Sequence, residues 1–272
     1  MPFYYNLFIA AVMFIYGTII GSFLNVVIYR TPKKEQVVKG RSHCMTCNHT
    51  LAWYDLFPVL SWLLLLGKCR YCKVKIPGRY ALVESLSGLT YAIGFLVLGF
   101  SINLIFAVIL FPVLICLSFF DIDTGEIEYW CPISIGVLGL VTLGLSLFAV
   151  VDTVWYTHLI GAFIIAVPFL VLCFFGAMGG GDVQLMFAAG LLLGWNIIPA
   201  ALIGILLGAI VGTVHKIKNK PVKERMVDDD DDGLAMVGTP LRFGPCLAVG
   251  IFAAFLYGEQ MIEWYLRVMG IN

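Results

Sequence analysis

Two carboxylates stand at the ends of apolar runs in a chain that places few charges near such runs. Asp121 closes one run in SFFDIDTGEIEYW, and Asp182 opens another behind three glycines in GAMGGGDVQLMF, residues 176–187. An ionisable group at a membrane boundary is costly and marks a functional site. Two carboxyl groups brought together where water is partly excluded cannot both ionise easily. They share a proton, one acting as base on a water and the other as acid toward a carbonyl, and they titrate as a unit. That is the chemistry of aspartic proteolysis. Gly179, Gly180 and Gly181 lack a Cβ, so the backbone can bend there and a substrate strand can come close. Each carboxylate also has a plain reading, Asp182 as a helix N-cap or first-turn acid and Asp121 as a solvated loop residue.

A second cluster suits a metal. C44-M-T-C47 and C69-R-Y-C72 are two CxxC pairs with twenty-one residues between them. Each pair can form a knuckle, and four thiolates then close a tetrahedral zinc site. A closed four-cysteine site leaves no position for catalysis, so this zinc is read as structural, stabilising a domain with little core of its own. His43 and His49 flank the first knuckle and could replace a cysteine. Cys116, Cys131, Cys173 and Cys246 lie in or at apolar runs and read as small core residues.

The elements that must position these groups are membrane helices. Hydrophobic residues make up 61% of the 272, charged residues 12%, and mean hydropathy is +0.96. A soluble domain keeps about a quarter of its residues charged, so a soluble enzyme is excluded. Residues 1–29 carry no charge and lack the basic region of a cleaved signal peptide, so they read as a first transmembrane helix. Eight apolar stretches follow the length of a span, near 5–28, 80–99, 102–120, 131–150, 157–176, 183–196, 197–214 and 244–262. The sixth is short and could merge with the seventh, but GWNIIP at 194–199 predicts a turn between them. LFPVLSWLLLLG, 56–67, is too short to span and reads as an interfacial or domain-core piece. The expected fold is all-α and polytopic, with about eight transmembrane helices. It divides into a first helix at 1–29, a cytoplasmic zinc domain at 30–79, and a peptidase core at 80–272 with a charged loop at 215–242.

Of the seventeen Lys and Arg, ten lie between Arg30 and Arg79 and six between Lys216 and Arg242. With eight spans both basic loops fall on one side, which must be the cytoplasm, with both termini opposite. A seven-span arrangement would separate them. The expected partners are the lipid bilayer and a peptide substrate, with no nucleic acid.

At the level of motifs the chain resembles the type IV prepilin peptidases, of the GxGD class of intramembrane aspartic proteases. G21-S-F-L-N-V-V-I-Y-R30, the paired CxxC knuckles, R79-Y-A-L-V-E84, F119-F-D121-I-D123, G179-G-G-D182 and R242-F-G-P-C-L-A248 carry the likeness over nearly the whole chain. The resemblance implies a bacterial inner-membrane endopeptidase that removes the basic leader from prepilins and pseudopilins at the cytoplasmic face. It also implies N-methylation of the new terminus with S-adenosylmethionine, although no glycine-rich nucleotide fingerprint of the soluble methyltransferase kind is present. By motif position Asp121 and Asp182 are the catalytic pair, Asp123 being the rival to Asp121, and Cys44, Cys47, Cys69 and Cys72 are the zinc ligands. The chain departs from the pattern at Glu128 and Tyr129, where Pro-Asp is usual, and at Gln184, where Lys is usual. The other readings are a zinc-containing membrane scaffold with a degenerate active site and a GxGD protease acting on other membrane-anchored peptides.

The loop DIDTGEIE carries four acids and no base, which would attract a basic leader. The run Asp228–Asp232 reads as a solvated, flexible tract.

Overall fold

The computed structural model describes residues 3–38, 40, 42–150, 153–176, 178–218 and 242–270; the Asp228–Asp232 run lies outside them. In a bilayer, an apolar run has no water for its backbone, so it closes into a helix that satisfies its own N–H and C=O groups. The helices are α1 (Phe3–Arg30), the short α2 (Leu60–Leu64), α3 (Arg79–Leu98), α4 (Ile102–Thr124) and α5 (Trp130–Leu147). After them come α6 (Trp155–Phe174), α7 (Gly180–Leu193), α8 (Ile197–Lys218) and α9 (Gly244–Val268). A 3-10 turn at Trp53–Leu56 precedes α2. No strand occurs among the described residues, only two isolated bridges.

Among the described residues, seven helical stretches are long and apolar enough to cross a membrane, the sixth being Gly180–Val214 taken as one piece of 35 residues. That piece is folded back on itself. Gly194 holds φ +58°, a conformation that L side chains rarely adopt, and a 3-10 turn at Gly194–Asn196 follows. Beside the break, His158 Nδ1 on α6 donates to the Leu191 carbonyl at 3.0 Å. Helix directions settle the reversal. Along α5, Gly136 lies against Ala188 and Gly139 against Leu191, so α7 runs parallel to α5. Along α9, Phe243 lies against Gly208, Gly250 against Ala200 and Gly258 against Asn196, so α8 runs antiparallel to α9. α7 therefore leaves one end of the bundle and α8 returns to it.

The remaining pairs agree. Asn25 on α1 donates to the Tyr80 carbonyl at 3.1 Å, and Tyr91 on α3 donates to the Val108 carbonyl of α4 at 2.7 Å. Eight segments, α1 and α3 through α9, alternate in direction. One end of the bundle collects the C-termini of α1, α4, α6 and α8 with the N-termini of α3, α5, α7 and α9.

α4 is the central helix, 56% buried over its most apolar window against 28–44% for the others. Pro112 within it has no N–H, which frees the carbonyl four residues back, and that is the Val108 oxygen taken by Tyr91. Large apolar side chains such as Phe8, Leu140, Phe163 and Leu202 remain exposed on the outside, as a lipid-facing surface requires. The stretch 56–67 forms α2 and its flanks, buries no residue of that helix, and lies against the bundle through the Val59 N–H, 2.7 Å from Glu84 Oε2 on α3.

Candidate active site and metal centre

α4 runs past the expected end of its span to Thr124, and Gly125 (φ +73°) ends it by donating its N–H to the Asp121 carbonyl at 3.0 Å. Asp121 thus sits in the last helical turn, 5% exposed, and the reading of a solvated loop residue is corrected. Its Oδ2 accepts the N–H of Gly244, the first residue of α9, at 2.8 Å. Helix N-termini carry unpaired N–H groups and partial positive charge, so α9 points at this carboxylate a terminus suited to it. A Cβ at Gly244 would stand 2.9–3.0 Å from the Asp121 carboxyl, so only glycine fits this approach. Two residues before α9, the Arg242 guanidinium donates to the Ile122 carbonyl, so the start of α9 is docked on the end of α4 by two contacts.

Asp182 lies in the first turn of α7, at the same end of the bundle as Asp121. The three glycines before it divide in role. A Cβ at Gly180 would meet nothing within 4 Å, whereas at Gly181 it would stand 3.1 Å from Ile127, just beyond α4. Open space is therefore at Gly180, while Gly181 lets α7 pack on the segment after Asp121. Asp123 is engaged elsewhere, in a two-pronged pair with Arg79 at 2.7 and 2.5 Å, and the same guanidinium lies 4.9 Å over the Phe119 ring. The acidic loop is thus less acidic in space than in sequence, because Arg79 and Arg242 reach it from other helices. Glu126 stays exposed.

The four knuckle cysteines come together, their sulfurs all within 4.8 Å of one another, as a group able to hold a metal ion. The two knuckles repeat one turn. Asn48 donates to the Cys44 carbonyl at 2.9 Å and Lys73 to that of Cys69 at 3.0 Å, each from a left-handed backbone (φ +53° and +60°). The backbone N–H groups of Cys47 and then Thr46 face Cys44 and lower its thiol to about 6, favouring the thiolate a metal needs. His49 stacks on Tyr71 with ring centroids 3.6 Å apart, and neither histidine belongs to the sulfur group. Asp55 ties the 3-10 turn to the second knuckle, bonding Arg70 at 2.7 Å and Tyr71 at 3.1 Å. Burial of its carboxyl opposes ionisation, but these donors outweigh it and hold Asp55 below the usual carboxylate range.

Residues 15–98 match the Bacterial Peptidase A24 N-terminal domain, and residues 108–213 match the Type IV leader peptidase family. A protein of Myxococcus xanthus called prepilin leader peptidase/N-methyltransferase is 37% identical over 246 residues, 85% of this chain and 70% of its own length. The chain belongs to the type IV leader peptidase family. A Bacillus subtilis member of the same name is 31% identical over 95% of this chain and 98% of its own length. A Pseudomonas aeruginosa member is 29% identical over 94% of this chain and 93% of its own. No solved structure matches the chain.

In this leader peptidase family member, the sequence motifs identify Asp121, Asp182 and the cysteines. They leave out Gly244, Arg242 and Arg79 as neighbours of the carboxylates. The stretch RFGPC contains two of them but carries no sign that its glycine meets a helix end 123 residues earlier.

Proposed function

We propose that this chain is a membrane-embedded aspartic endopeptidase that removes the leader peptide from prepilins or pseudopilins and N-methylates the new terminus. Asp121 and Asp182 are the catalytic pair. The observation that carries this reading is that the α4 C-terminus and the α7 N-terminus lie at one end of the bundle, where Gly181 packs on Ile127 just beyond α4 and Asp121 is pinned by the Gly244 N–H. One carboxylate takes a proton from a water, which attacks the scissile carbonyl carbon. The other, protonated, donates to the carbonyl oxygen, and a proton then passes to the departing amine as the C–N bond breaks. Open space at Gly180 admits the peptide backbone beside Asp182.

That end of the bundle faces the cytoplasm, since it gathers Arg30, Arg79 and Arg242 while Arg267 lies near the opposite terminus of α9. Zinc is the metal that suits the four sulfurs. Tetrahedral zinc with Zn–S bonds of about 2.3 Å separates its sulfurs by about 3.8 Å, and Cys44 and Cys72 are 3.8 Å apart. Zinc would supply the small domain with folding energy and take no part in hydrolysis. For methyl transfer, S-adenosylmethionine would supply an activated methyl group. Two clefts among the described residues, walled by side chains such as Phe163 and Leu170, or Phe14 and Leu63, do not fit so polar a group. No step is assigned through it.

The test is cleavage of a prepilin in detergent by the purified protein. Asp121→Asn and Asp182→Asn should each abolish it while helical content and zinc stay unchanged. Retained cleavage in either variant removes the pair.

A further inference from the structure

The small domain carries a surface unsuited to water. Residues 56–67, LFPVLSWLLLLG, contain no charged side chain, and Asp55 and Lys68 stand directly at the two ends. Leu60, Leu63, Leu64 and Leu66 are 53–82% exposed there, beside an exposed Phe57. An apolar patch of this kind marks contact with a membrane or a partner, and its position decides between them.

Val59 starts α2, and its N–H is 2.7 Å from Glu84 Oε2 on α3. A Cβ at Gly21 would stand 2.7 Å from the Glu84 Cα, so this contact lies level with Gly21 on α1. Gly21 precedes Arg30, the last residue of α1, by nine positions, which at 1.5 Å per residue is about 13 Å into the bundle. From there a cleft of about 660 Å³ is lined by Ile15 and Ile19 of α1 and by Leu60 and Leu63 of α2. Ile15 and Ile19 are 60% and 54% exposed and belong to the lipid-facing surface of α1, so the apolar face of α2 continues that surface. Ile15 lies about 22 Å from Arg30 along the helix, in a hydrocarbon layer about 30 Å thick.

The backbone is bonded as lipid requires. The N–H groups of Ser61, Leu63, Leu65, Leu66 and Gly67 bond within the stretch, and that of Val59 is taken by Glu84. An unpaired N–H at this depth would be costly, which gives a reason for an acid that is 9% exposed inside a membrane helix. The chain then returns to the boundary. Lys68 forms an isolated bridge with Lys75, four residues before α3 begins, and both are exposed together with Lys73. Basic side chains at that level suit anionic headgroups.

We propose that residues 56–67 form a re-entrant element, dipping from the cytoplasmic surface into the acyl chains of the adjacent leaflet and back, with Glu84 as its anchor. Twelve residues are too few to span but enough to enter and turn. The element holds the sulfur cluster, whose knuckles flank it, at the membrane surface. It does not depend on the peptidase reading. A core for the small domain would need these leucines buried, and a soluble partner would not reach a face beside Ile15.

The test uses the purified protein in vesicles of phosphatidylethanolamine and phosphatidylglycerol that contain a phospholipid with a diazirine midway along one acyl chain. Illumination should label residues 56–67 as well as the exposed face of α6 around Phe163, and should leave residues 42–50 of the first knuckle unlabelled. A stretch left unlabelled while α6 is labelled, or crosslinked to a second copy of this chain instead, overturns the proposal. Leu64→Asp should cut labelling of the stretch at least about ten-fold, as a charge in hydrocarbon demands, with α6 labelled as before. Glu84→Ala should lower it several-fold, and Glu84→Gln, which keeps an acceptor for the Val59 N–H, should retain most of it. Labelling unchanged by Leu64→Asp refutes the placement in lipid, and labelling unchanged by Glu84→Ala refutes the anchor.

Discussion

Gly244 N–H donates to Asp121 Oδ2 at 2.8 Å, joining the first residue of α9 to the last turn of α4 across 123 residues of chain. The contact satisfies an N–H that a helix start leaves unpaired and fixes the orientation of a carboxylate that has 5% of its surface exposed. A side chain at position 244 would have to push that carboxylate aside.

Gly244→Ala should therefore damage the site more than the fold. A methyl placed 2.9 Å from Oδ2 costs about 1–3 kcal/mol if the helix ends must separate, and displaces the acid by a few tenths of an ångström or more. Leader cleavage should fall by about 100-fold, as small misplacements of catalytic groups do, with melting in detergent only modestly lowered. Unchanged kcat would show that the Asp121 orientation does not depend on this contact.

Asp123 and Asp121 are two residues apart, yet their partners differ. Asp123 pairs with Arg79 at the partly exposed rim of the bundle, where such pairs contribute about 1 kcal/mol or less. Asp123→Asn should keep most of the cleavage activity and lose a small increment of stability. If it is as inactive as Asp121→Asn, the assignment of the first carboxylate moves to Asp123.

The Tyr91–Val108 contact compensates for Pro112, which gives a double-mutant cycle inside the membrane. Tyr91→Phe should cost about 1–2 kcal/mol, because it orphans a carbonyl where no water can replace the donor. Pro112→Ala restores a helical donor to that carbonyl, so in its background Tyr91→Phe should cost markedly less. Additive losses, read from reversible unfolding in mixed micelles, would mean the hydroxyl contributes nothing to repairing the proline break.

The small domain should respond to acid through Asp55. Its carboxyl lies below the usual value when folded, so its contribution is fully present above the unfolded carboxylate pKa, about 3.9. That contribution is lost as pH falls through the lower folded value. The stability difference between the parent protein and Asp55→Asn should be largest at neutral pH and shrink below about pH 4. Tryptophan fluorescence from Trp53 and Trp62 reports it; a difference that grows on acidification has the wrong sign for this account.

Removing the metal is a separate perturbation. A chelator strong enough to strip zinc, or Cys47→Ser, should loosen residues 42–76, seen as faster proteolysis there. The helices of the core should persist, since their backbone bonds are internal and do not pass through the sulfur cluster. Bundle melting that coincides with metal loss would show that the core depends on the small domain.

Much of this protein was legible in the chain itself. Apolar runs of span length can only be helices in lipid, so α1, α3, α4, α5, α6 and α9 were predictable, and paired CxxC spacing announces the sulfur cluster. The asparagine and proline of GWNIIP marked a turn between α7 and α8, although a count by length alone merges the two. The break itself falls at Gly194 and the 3-10 turn after it, and the proline lies within α8. What sequence could not decide is which groups meet across helices. The plain alternative for Asp121, a loop acid, falls only when α4 is seen to continue through it. The acidic loop reads as unbalanced until Arg79 and Arg242 arrive from 44 and 120 residues away. Gly244 reads as a helix-start glycine until a carboxylate is found where its Cβ would be. Local periodicity and spacing are properties of neighbouring residues, and so the sequence determines the helices and the knuckles. The carboxylate environment depends on the ends of four helices, α3, α4, α7 and α9, coming to one end of the bundle, and only their packing determines that.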